Sequence, residues 1–250
     1  MKIGIAGYGY VGKAHELLFQ EIHDIIVSDP DKGQYGNLLH ADAIIVCVST
    51  PSNERGYCDV SNVIDVVEAA PDVPILIKST ISPEGWRLLK DTCNDKNITF
   101  SPEYLRANTW KEDAQNTKDY YFGGDSVNFW SDLHVHSRGY VSTHPAEPEE
   151  LIMAKQLRNS YLALKVTFFN QVYDYCAGEG VDFERVRELI TDDSRIGDSH
   201  SSVTKERGFG GHCFPKDVLA TVRSSVISAN TRFTLLEEAL NYNDSIRSKK

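Results

Sequence analysis

The opening segment of the chain constrains its fold more than any other feature. A short apolar run from Lys2 to Ala6 is followed at once by the hexapeptide Gly7-Tyr8-Gly9-Tyr10-Val11-Gly12, and apolar side chains then recur at helical spacing up to Ile22. This order predicts a strand, a tight turn and a helix. In a dinucleotide-binding unit the first glycine makes the turn, the second lets the backbone meet a pyrophosphate, and the third lets the helix pack closely on the strand.

A carboxylate follows the second predicted strand. This strand runs from Ile25 to Ser28 and ends at Asp29, where the acidic residue of a dinucleotide-binding unit accepts hydrogen bonds from the adenosine ribose. A 2′-phosphate would be repelled by this carboxylate, so Asp29 favours NAD over NADP as the cofactor. The alternative is a glycine-rich turn that binds no ligand in an ordinary α/β domain.

Strand and helix patterns then alternate as a parallel sheet requires. Three predicted strands are followed by polar residues, Thr50, Thr80 and Glu103. Because ligands bind beyond the carboxyl ends of such strands, these residues are candidate cofactor or substrate contacts; ordinary turn hydroxyls are the alternative for the two threonines. The predicted strands are 43–48, 74–78, 98–100, 120–122 and 140–143, and the predicted helices are 60–70, 83–93 and 127–133.

A change of pattern predicts two domains. The proline pair in Pro145-Ala146-Glu147-Pro148 is typical of a joint between them. Residues 1–145 are predicted to form a Rossmann-like α/β domain with a doubly wound parallel sheet. Residues 146–250 are predicted to form an all-α domain that begins with one long helix, since the segment from 149 to 176 contains neither glycine nor proline.

The long helix carries two polar residues and an unusual apolar pattern. Lys155 and Asn159 are four residues apart, so they share one face; a solvated pair is the alternative to a functional one. Between Tyr161 and Val172 apolar residues fall on nearly every face, so both sides of the helix need cover. We therefore expect a second copy of the chain to pack on residues 149–176 in a homodimer.

The stretch from Gly208 to Asp217 carries the strongest candidate for chemistry. It places Cys213 after three glycines that let the backbone approach a ligand, and Asp217 lies four residues further on. A thiol becomes a nucleophile only where its surroundings favour the thiolate. An inert, buried cysteine in a glycine-rich turn is the alternative.

Composition excludes several classes of protein. The formal charge of −10 and the pI near 5.3 argue against binding of nucleic acid or an anionic membrane surface. No apolar run approaches the ~20 residues of a membrane span, so we expect a soluble, cytoplasmic protein. The five scattered cysteines predict neither disulfides nor a zinc site. His134 and His136 would share one face of a possible strand, but without further ligands they are expected to be solvated, and no metal is predicted.

Together these segments resemble the UDP-glucose/GDP-mannose 6-dehydrogenase family over nearly the whole chain. The resemblance implies a Rossmann-like domain followed by a middle domain of the 6-phosphogluconate-dehydrogenase type, NAD as cofactor, a nucleotide-sugar substrate such as UDP-glucose, and a place in polysaccharide biosynthesis. The matching motifs are Gly7–Gly12, Val48–Pro51, Lys78–Ile81, Pro102–Arg106, Lys155 with Asn159, Ser194–Gly197 and Gly208–Asp217.

The resemblance also implies a role for each matching residue. Lys155 and Asn159 would stabilise an alkoxide during the first oxidation, and Cys213 would carry the aldehyde as a thiohemiacetal and then as a thioester. Glu103 would help activate the hydrolytic water, which Thr80 and Asp217 would position. Cofactor contacts are expected from Gly7, Gly9, Tyr10, Val11, Gly12, Asp29, Thr50 and Thr80. Substrate contacts are expected from Glu103, Leu105, Arg106, Lys155, Asn159, Arg195 and Gly210.

The chain departs from the family pattern in several places. It stops at Lys250, before the second nucleotide-binding-like domain, so a fragment or a naturally short form is expected. Ala107 stands where a second glutamate is frequent, and His212 where a small hydroxyl residue is common. Two alternatives stay open. One is a β-hydroxyacid-type dehydrogenase that performs a single oxidation, and the other is a catalytically degenerate module that only binds NAD.

Overall fold

A computed structural model describes residues 1–52, 58–211 and 214–247. The chain divides into two compact units, the first ending at Lys155 and the second beginning at Gln156. The boundary lies inside the long helix, which runs from Pro148 to Glu179 and so extends slightly beyond the predicted bounds at both ends.

The first unit is built on an eight-stranded sheet in the order β3-β2-β1-β4-β5-β6-β7-β8, counted over the described residues. The strands are β1 (Lys2–Ala6), β2 (Asp24–Asp29), β3 (Gln34–Tyr35), β4 (Ala43–Val46), β5 (Ile75–Ile77), β6 (Ile98–Phe100), β7 (Asp119–Gly124) and β8 (Ser142–Pro145). Its helices are α1 (Tyr10–Phe19), α2 (Ser61–Ala69), α3 (Pro83–Thr92), α4 (Trp110–Asn116) and α5 (Val127–Arg138).

The central strands are apolar on both faces. In β4, Ile44 and Val46 pack into one hydrophobic cluster, and Ala43 and Ile45 pack into another. Because successive side chains of a strand point to opposite faces, these clusters cover the two sides of the sheet. This confirms the doubly wound α/β fold. The strand order reverses between β1 and β4, and ligands of such sheets bind in the crevice at that reversal.

The sheet is mostly parallel, with two exceptions that the strand and helix alternation did not predict. The edge strand β3 pairs antiparallel with β2, and β7 pairs antiparallel with β6. Two glycines of β7 lie where a side chain would not fit, and one of them, Gly124, faces β6. A Cβ on Gly124, whose φ is +120°, would overlap the carbonyl of Ile98, and a Cβ on Gly123 would lie 2.5 Å from the carbonyl of Ala146.

The expectation that His134 and His136 share a face of a strand is wrong. Both lie in α5, where residues two apart point to different sides of the helix. His136 is exposed, but His134 is buried against Phe19, Tyr120 and Phe122, and its Nδ1 donates to the carbonyl of Trp130 at 2.8 Å. His134 therefore belongs to the apolar core. Within the ranges given above, no three His, Cys, Asp or Glu side chains are grouped so that they could hold a metal.

The second unit consists of helices. After α6 (Pro148–Glu179) come α7 (Phe183–Thr191), α8 (Phe214–Ala229) and α9 (Thr234–Ile246). Its main hydrophobic cluster joins Ala163 of α6 to Phe209, Val218, Val222 and Leu236. A second face of α6 carries exposed aromatic side chains spaced seven residues apart, namely Tyr161, Phe168 and Tyr175. No helix in the described ranges is long and apolar enough to cross a membrane.

Candidate active site

The glycine turn after β1 has little room for side chains. Gly7 has a φ of +89°, and a Cβ there would lie 2.7 Å from the backbone carbonyl of Cys47. A Cβ on Gly12 would overlap the carbonyl of Gly7, whereas one on Gly9 would meet only the Lys32 amine, at 3.9 Å. Among the described residues no side chain caps α1 at Gly9, so this open backbone and helix start fit the pyrophosphate of a dinucleotide.

Asp29 lies at the end of β2 and is bound to the glycine turn. Its Oδ2 accepts a hydrogen bond of 2.6 Å from the N–H of Tyr8 and lies 3.6 Å from the Lys32 ammonium. The hydroxyl of Tyr8 donates to Glu16, and this bond together with burial raises the pKa of Tyr8 to about 12. The predicted ribose-binding carboxylate is therefore also a support of the pyrophosphate-binding backbone.

Thr50 and Thr80 are brought together beyond the ends of β4 and β5. The Thr50 hydroxyl donates to the carbonyl of Thr80 at 2.6 Å, and the Cys58 thiol donates to the same carbonyl at 3.1 Å. The Ser79 hydroxyl donates to the carbonyl of Val48 at 2.7 Å. These bonds connect the segments that follow the adjacent strands β4 and β5. Because the Thr50 hydroxyl already donates its proton, its oxygen can only accept a hydrogen bond from a ligand.

Glu103 follows β6 and is bound on both carboxylate oxygens. Oε1 accepts hydrogen bonds from the N–H groups of Tyr104 and Leu105, at 2.7 and 2.8 Å, and Oε2 lies 3.5 Å from the ammonium of Lys78. Burial raises the pKa of the Glu103 carboxyl, but the charges of Lys78, His15 and Lys155 and the Leu105 N–H outweigh burial, and the pKa lies below its ordinary value. Glu103 is consequently a carboxylate at neutral pH.

Lys155, in the first unit, is buried beside the same segment. Its ammonium donates to the backbone carbonyl of Glu103 and lies 5.6 Å from the centre of the Tyr104 ring. A buried ammonium with such partners has a fixed position, as electrostatic stabilisation of a developing negative charge requires.

The two other predicted substrate contacts of this segment are Leu105 and Arg106. Leu105 packs against the hydrophobic core. The exposed guanidinium of Arg106 pairs with Asp113 at 2.5 Å, and hydrogen bonding to this partner lowers the pKa of Asp113 to about 2. Arg106 would have to exchange this partner for a substrate.

In the second unit, Asn159 and Asp217 bind each other. The Asn159 amide donates to Oδ2 of Asp217 at 2.6 Å, and Oδ1 lies 2.9 Å from the Lys216 ammonium. Asp217 is 1% exposed and lies in the first turn of α8. One turn further, the Ser160 hydroxyl donates to the hydroxyl of Thr221. Two side-chain hydrogen bonds thus join α6 to α8.

Two buried asparagines hold the glycine-rich loop before α8. The Asn170 side-chain oxygen accepts from the N–H of Gly208 at 3.0 Å, and that of Asn243 accepts from the N–H of Phe209 at 2.7 Å. A Cβ on Gly210 would overlap the Arg247 guanidinium, the end of a flexible side chain that would have to move aside. Cys213, the predicted nucleophile, lies outside the described residues.

Arg195 is a solvent-facing residue of the second unit. Its guanidinium is 87% exposed and pairs with Asp193 at 2.5 Å. The loop that carries it is attached to α6, because the Lys165 ammonium donates to the carbonyls of Ile196 and Gly197 at 2.7 Å. Arg195 is therefore presented on a fixed loop and is available to a ligand or to another chain.

Comparison with known proteins finds similarity to dehydrogenases that act on nucleotide sugars. Residues 149–245 match the model of the UDP-glucose/GDP-mannose dehydrogenase family, central domain. The UDP-glucose 6-dehydrogenase of Rickettsia felis is 31% identical over 203 residues, which are 74% of this chain and 44% of that protein. The chain is thus similar to UDP-glucose/GDP-mannose dehydrogenases in its central segment and to a UDP-glucose 6-dehydrogenase over most of its own length.

Two further relatives extend the comparison to the first unit. The UDP-glucose 6-dehydrogenase of Rhizobium meliloti is 26% identical over 98% of this chain and 68% of its own length. The structure of a UDP-glucose dehydrogenase from Pyrobaculum islandicum has a TM-score of 0.84 and 23% identity, and covers 98% of this chain and 68% of that one. The chain thus spans between about half and two thirds of the length of these relatives.

The structure adds residues to the candidate site that the sequence did not indicate. Lys78 was noted only as part of a motif, yet its ammonium is buried beside Glu103. His15 is also buried, and its Nδ1 donates to the carbonyl of Val11 at 2.9 Å. Asn170 and Asn243 were not singled out by the sequence, yet both are buried and bind the glycine-rich loop. The available signal was a polar residue at a spacing where the core side of a helix is expected.

Proposed function

We propose that the protein is an NAD-dependent nucleotide-sugar 6-dehydrogenase, an oxidoreductase that converts a primary alcohol to a carboxylate in two oxidations. The observation that carries the proposal is the pairing of the predicted site residues, Lys155 with Glu103 and Asn159 with Asp217. The names of the curated relatives point to UDP-glucose as the first sugar to test.

The glycine turn and Asp29 would hold NAD, with Tyr10 and Val11 at the start of α1 and with Thr50 and Thr80 beyond the strand ends. Two features support this assignment: the backbone at Gly9 is open, and the Asp29 carboxylate lies at the end of β2. When bound, NAD would accept a hydride from the substrate carbon in each oxidation, one molecule being used for each.

In the first oxidation, the substrate hydroxyl would pass its proton to solvent water, and the Lys155 ammonium and the Asn159 amide would stabilise the alkoxide that is left. The carbon then loses a hydride and becomes an aldehyde. In the second oxidation the Cys213 thiolate would add to this aldehyde, and loss of a second hydride would leave a thioester on the sulfur. Water then replaces the sulfur, which releases the carboxylate and restores the thiol.

Glu103 would accept a hydrogen bond from the hydrolytic water, with Thr80 and Asp217 orienting that water. The lowered pKa of Glu103 supports this role, because the group is ionised throughout the neutral range. The proposed substrate contacts are Glu103, Leu105, Arg106, Lys155, Asn159, Arg195 and Gly210.

The proposal includes two domains, residues 1–145 and 146–250, and a homodimer formed through the long helix. The exposed aromatic stripe of Tyr161, Phe168 and Tyr175 supports the homodimer, since a second copy would cover it. Location in the cytoplasm and a role in polysaccharide biosynthesis belong to the same proposal. Light scattering would test the dimer, and we expect Phe168→Glu to give a monomer.

The test of the function is NADH formation with UDP-glucose, UDP-N-acetyl sugars and GDP-mannose, together with mass spectrometry of the product. We expect two NADH and one sugar carboxylate for each sugar consumed. One NADH per substrate would favour a single-oxidation dehydrogenase. Binding of NAD by calorimetry without NADH from any sugar would favour a module that only binds the cofactor.

A further inference from the structure

Lys78 occupies an unusual position for a lysine. It follows β5 directly and is 5% exposed, although lysine is almost never fully buried unless it has partners. It is not among the residues to which the proposed function gives a role.

The partners of Lys78 all belong to the segment that follows β6. Its ammonium donates to the hydroxyl of Ser101 at 3.2 Å and to the carbonyl of Pro102 at 3.0 Å, and it lies 3.5 Å from Oε2 of Glu103. Because β5 and β6 are parallel neighbours, the Lys78 side chain after β5 reaches the three successive residues 101–103 that follow β6.

The segment that Lys78 holds carries two groups of the proposed site. The Glu103 carboxylate is one of them, and the Glu103 carbonyl, which binds the Lys155 ammonium, positions the other. The groups that face the Glu103 carboxylate are the ammonium of Lys78, the imidazole of His15 on α1 and the ammonium of Lys155 on α6. Burial raises the pKa of Glu103, and of these three groups Lys78 does most to lower it.

We infer that Lys78 is a positioning residue of the site: it keeps Glu103 ionised and fixes the backbone from Ser101 to Glu103, through which it also places Lys155. This inference rests on the proposed function for its catalytic consequence. Its electrostatic part concerns only residues of the first unit and can be measured without turnover.

A small cavity makes a conservative variant possible. It measures about 80 Å³. Its lining includes the ionisable residues His15, Lys78, Glu103, Asp113, Asp119 and Tyr120. The larger guanidinium of Lys78→Arg has room there and keeps the positive charge, whereas Lys78→Met keeps the approximate length and removes the charge. Lys90→Met is the matched control, because Lys90 pairs with Asp125 in the same unit at 2.7 Å.

The experiment is a carbon-13 NMR titration of the Glu103 carboxyl, assigned by its loss in Glu103→Gln. In the unmodified protein we expect a pKa below 4.5, the ordinary value for glutamate. In Lys78→Met we expect the pKa to rise by about one unit or more, a tenfold change in the ionisation constant, because burial is then less opposed. In Lys78→Arg and Lys90→Met it should stay close to that of the unmodified protein.

Two results would overturn the inference. One is a Glu103 pKa at or above 4.5 in the unmodified protein, which can be measured even where Lys78→Met fails to fold. The other is a folded Lys78→Met whose Glu103 pKa is unchanged. The acid limb of the rate profile for sugar oxidation should move upward with the same pKa in Lys78→Met. Absence of NADH formation by the unmodified protein would contradict the proposed function alone, since the titration does not depend on it.

Discussion

In the first unit most candidate site residues lie at or beyond strand ends and are bound mostly by main-chain groups, whereas in the second unit Asn159 and Asp217 lie on helices and bind each other through their side chains. Asp29 and Glu103 accept hydrogen bonds from backbone N–H groups, and Lys155 donates to a backbone carbonyl. Asn159 and Asp217 instead form a side-chain pair. The first arrangement depends on backbone geometry and the second on the identity of each side chain.

The largest effect is expected where backbone geometry is disturbed. In Gly7→Ala the new Cβ would meet the Cys47 backbone at 2.7 Å with φ at +89°, so we expect NAD affinity to fall by about 100-fold or more and the free energy of unfolding to fall by about 2–5 kcal/mol. Calorimetry and urea unfolding measure the two quantities. Gly139→Ala is the control: its φ is +72° but nothing lies within 4 Å, so only about 1–2 kcal/mol should be lost and NAD binding should persist. Equal effects at the two positions would show that close approach does not matter.

A side-chain change should be nearly as damaging in the second unit. Asp217→Ala removes a carboxylate that is 1% exposed and leaves the half-buried Asn159 amide without its acceptor, so we expect the free energy of unfolding to fall by about 1–3 kcal/mol. Asp217→Asn retains an acceptor oxygen and should cost less. Asp193→Ala breaks the exposed pair with Arg195, and because solvent screens this pair it should leave the free energy of unfolding nearly unchanged. If Asp217→Ala unfolded at the same urea concentration as Asp193→Ala, the difference between the units would be refuted.

Acid should destabilise the first unit through its buried histidines. Burial lowers the pKa of His134 to about 3 and that of His15 to about 4, from 6.5. Between these values and 6.5 the unfolded chain binds protons that the folded one does not, so stability falls as the pH is lowered through 6.5. Between pH 7 and 5 we expect a loss of roughly 2 kcal/mol for each histidine.

His134→Phe should remove about half of this pH dependence while keeping an aromatic ring against Phe19 and Phe122. The exposed His136 on the same helix provides the control, and His136→Phe should leave the slope unchanged. Unfolding in urea at several pH values measures the slope. A His134→Phe slope equal to that of the unmodified protein would place the pH dependence elsewhere.

The smallest effect is expected at Arg106, which is exposed although its partner Asp113 is not. The lowered pKa of Asp113 contributes stability that is present above the unfolded value of 3.8 and is lost as the pH falls toward about 2. Solvent screening limits this contribution, so Arg106→Ala should lower the free energy of unfolding only slightly at pH 7. Arg185→Ala, which breaks the exposed pair with Glu188, is the control for stability. A higher KM for the sugar in Arg106→Ala alone would support the substrate contact.

The sequence predicted the features that depend on local pattern. The glycine turn, the carboxylate of Asp29 after β2, the polar strand ends and the long helix all arise from spacing within about 30 residues. Because parallel neighbours end at the same edge of the sheet, we expect the parallel sheet to bring these features together in one site.

Features that depend on distant pairing could not be predicted. His134 resembled a surface residue because its core partners Phe19 and Phe122 are remote in sequence. The antiparallel pairing of β7 with β6 likewise requires knowledge of which strands become neighbours. Lys78, Asn170 and Asn243 acquire meaning only from the segments that they bind.

We propose that the chain performs two successive oxidations, the second through sulfur. This is tested by the number of NADH molecules formed per nucleotide sugar by the unmodified chain and by Cys213→Ala, with the product mass determined in the same samples. We expect two NADH and a carboxylate for the unmodified chain, and at most one NADH and no carboxylate for the variant. Two NADH and a carboxylate from Cys213→Ala would contradict the proposal.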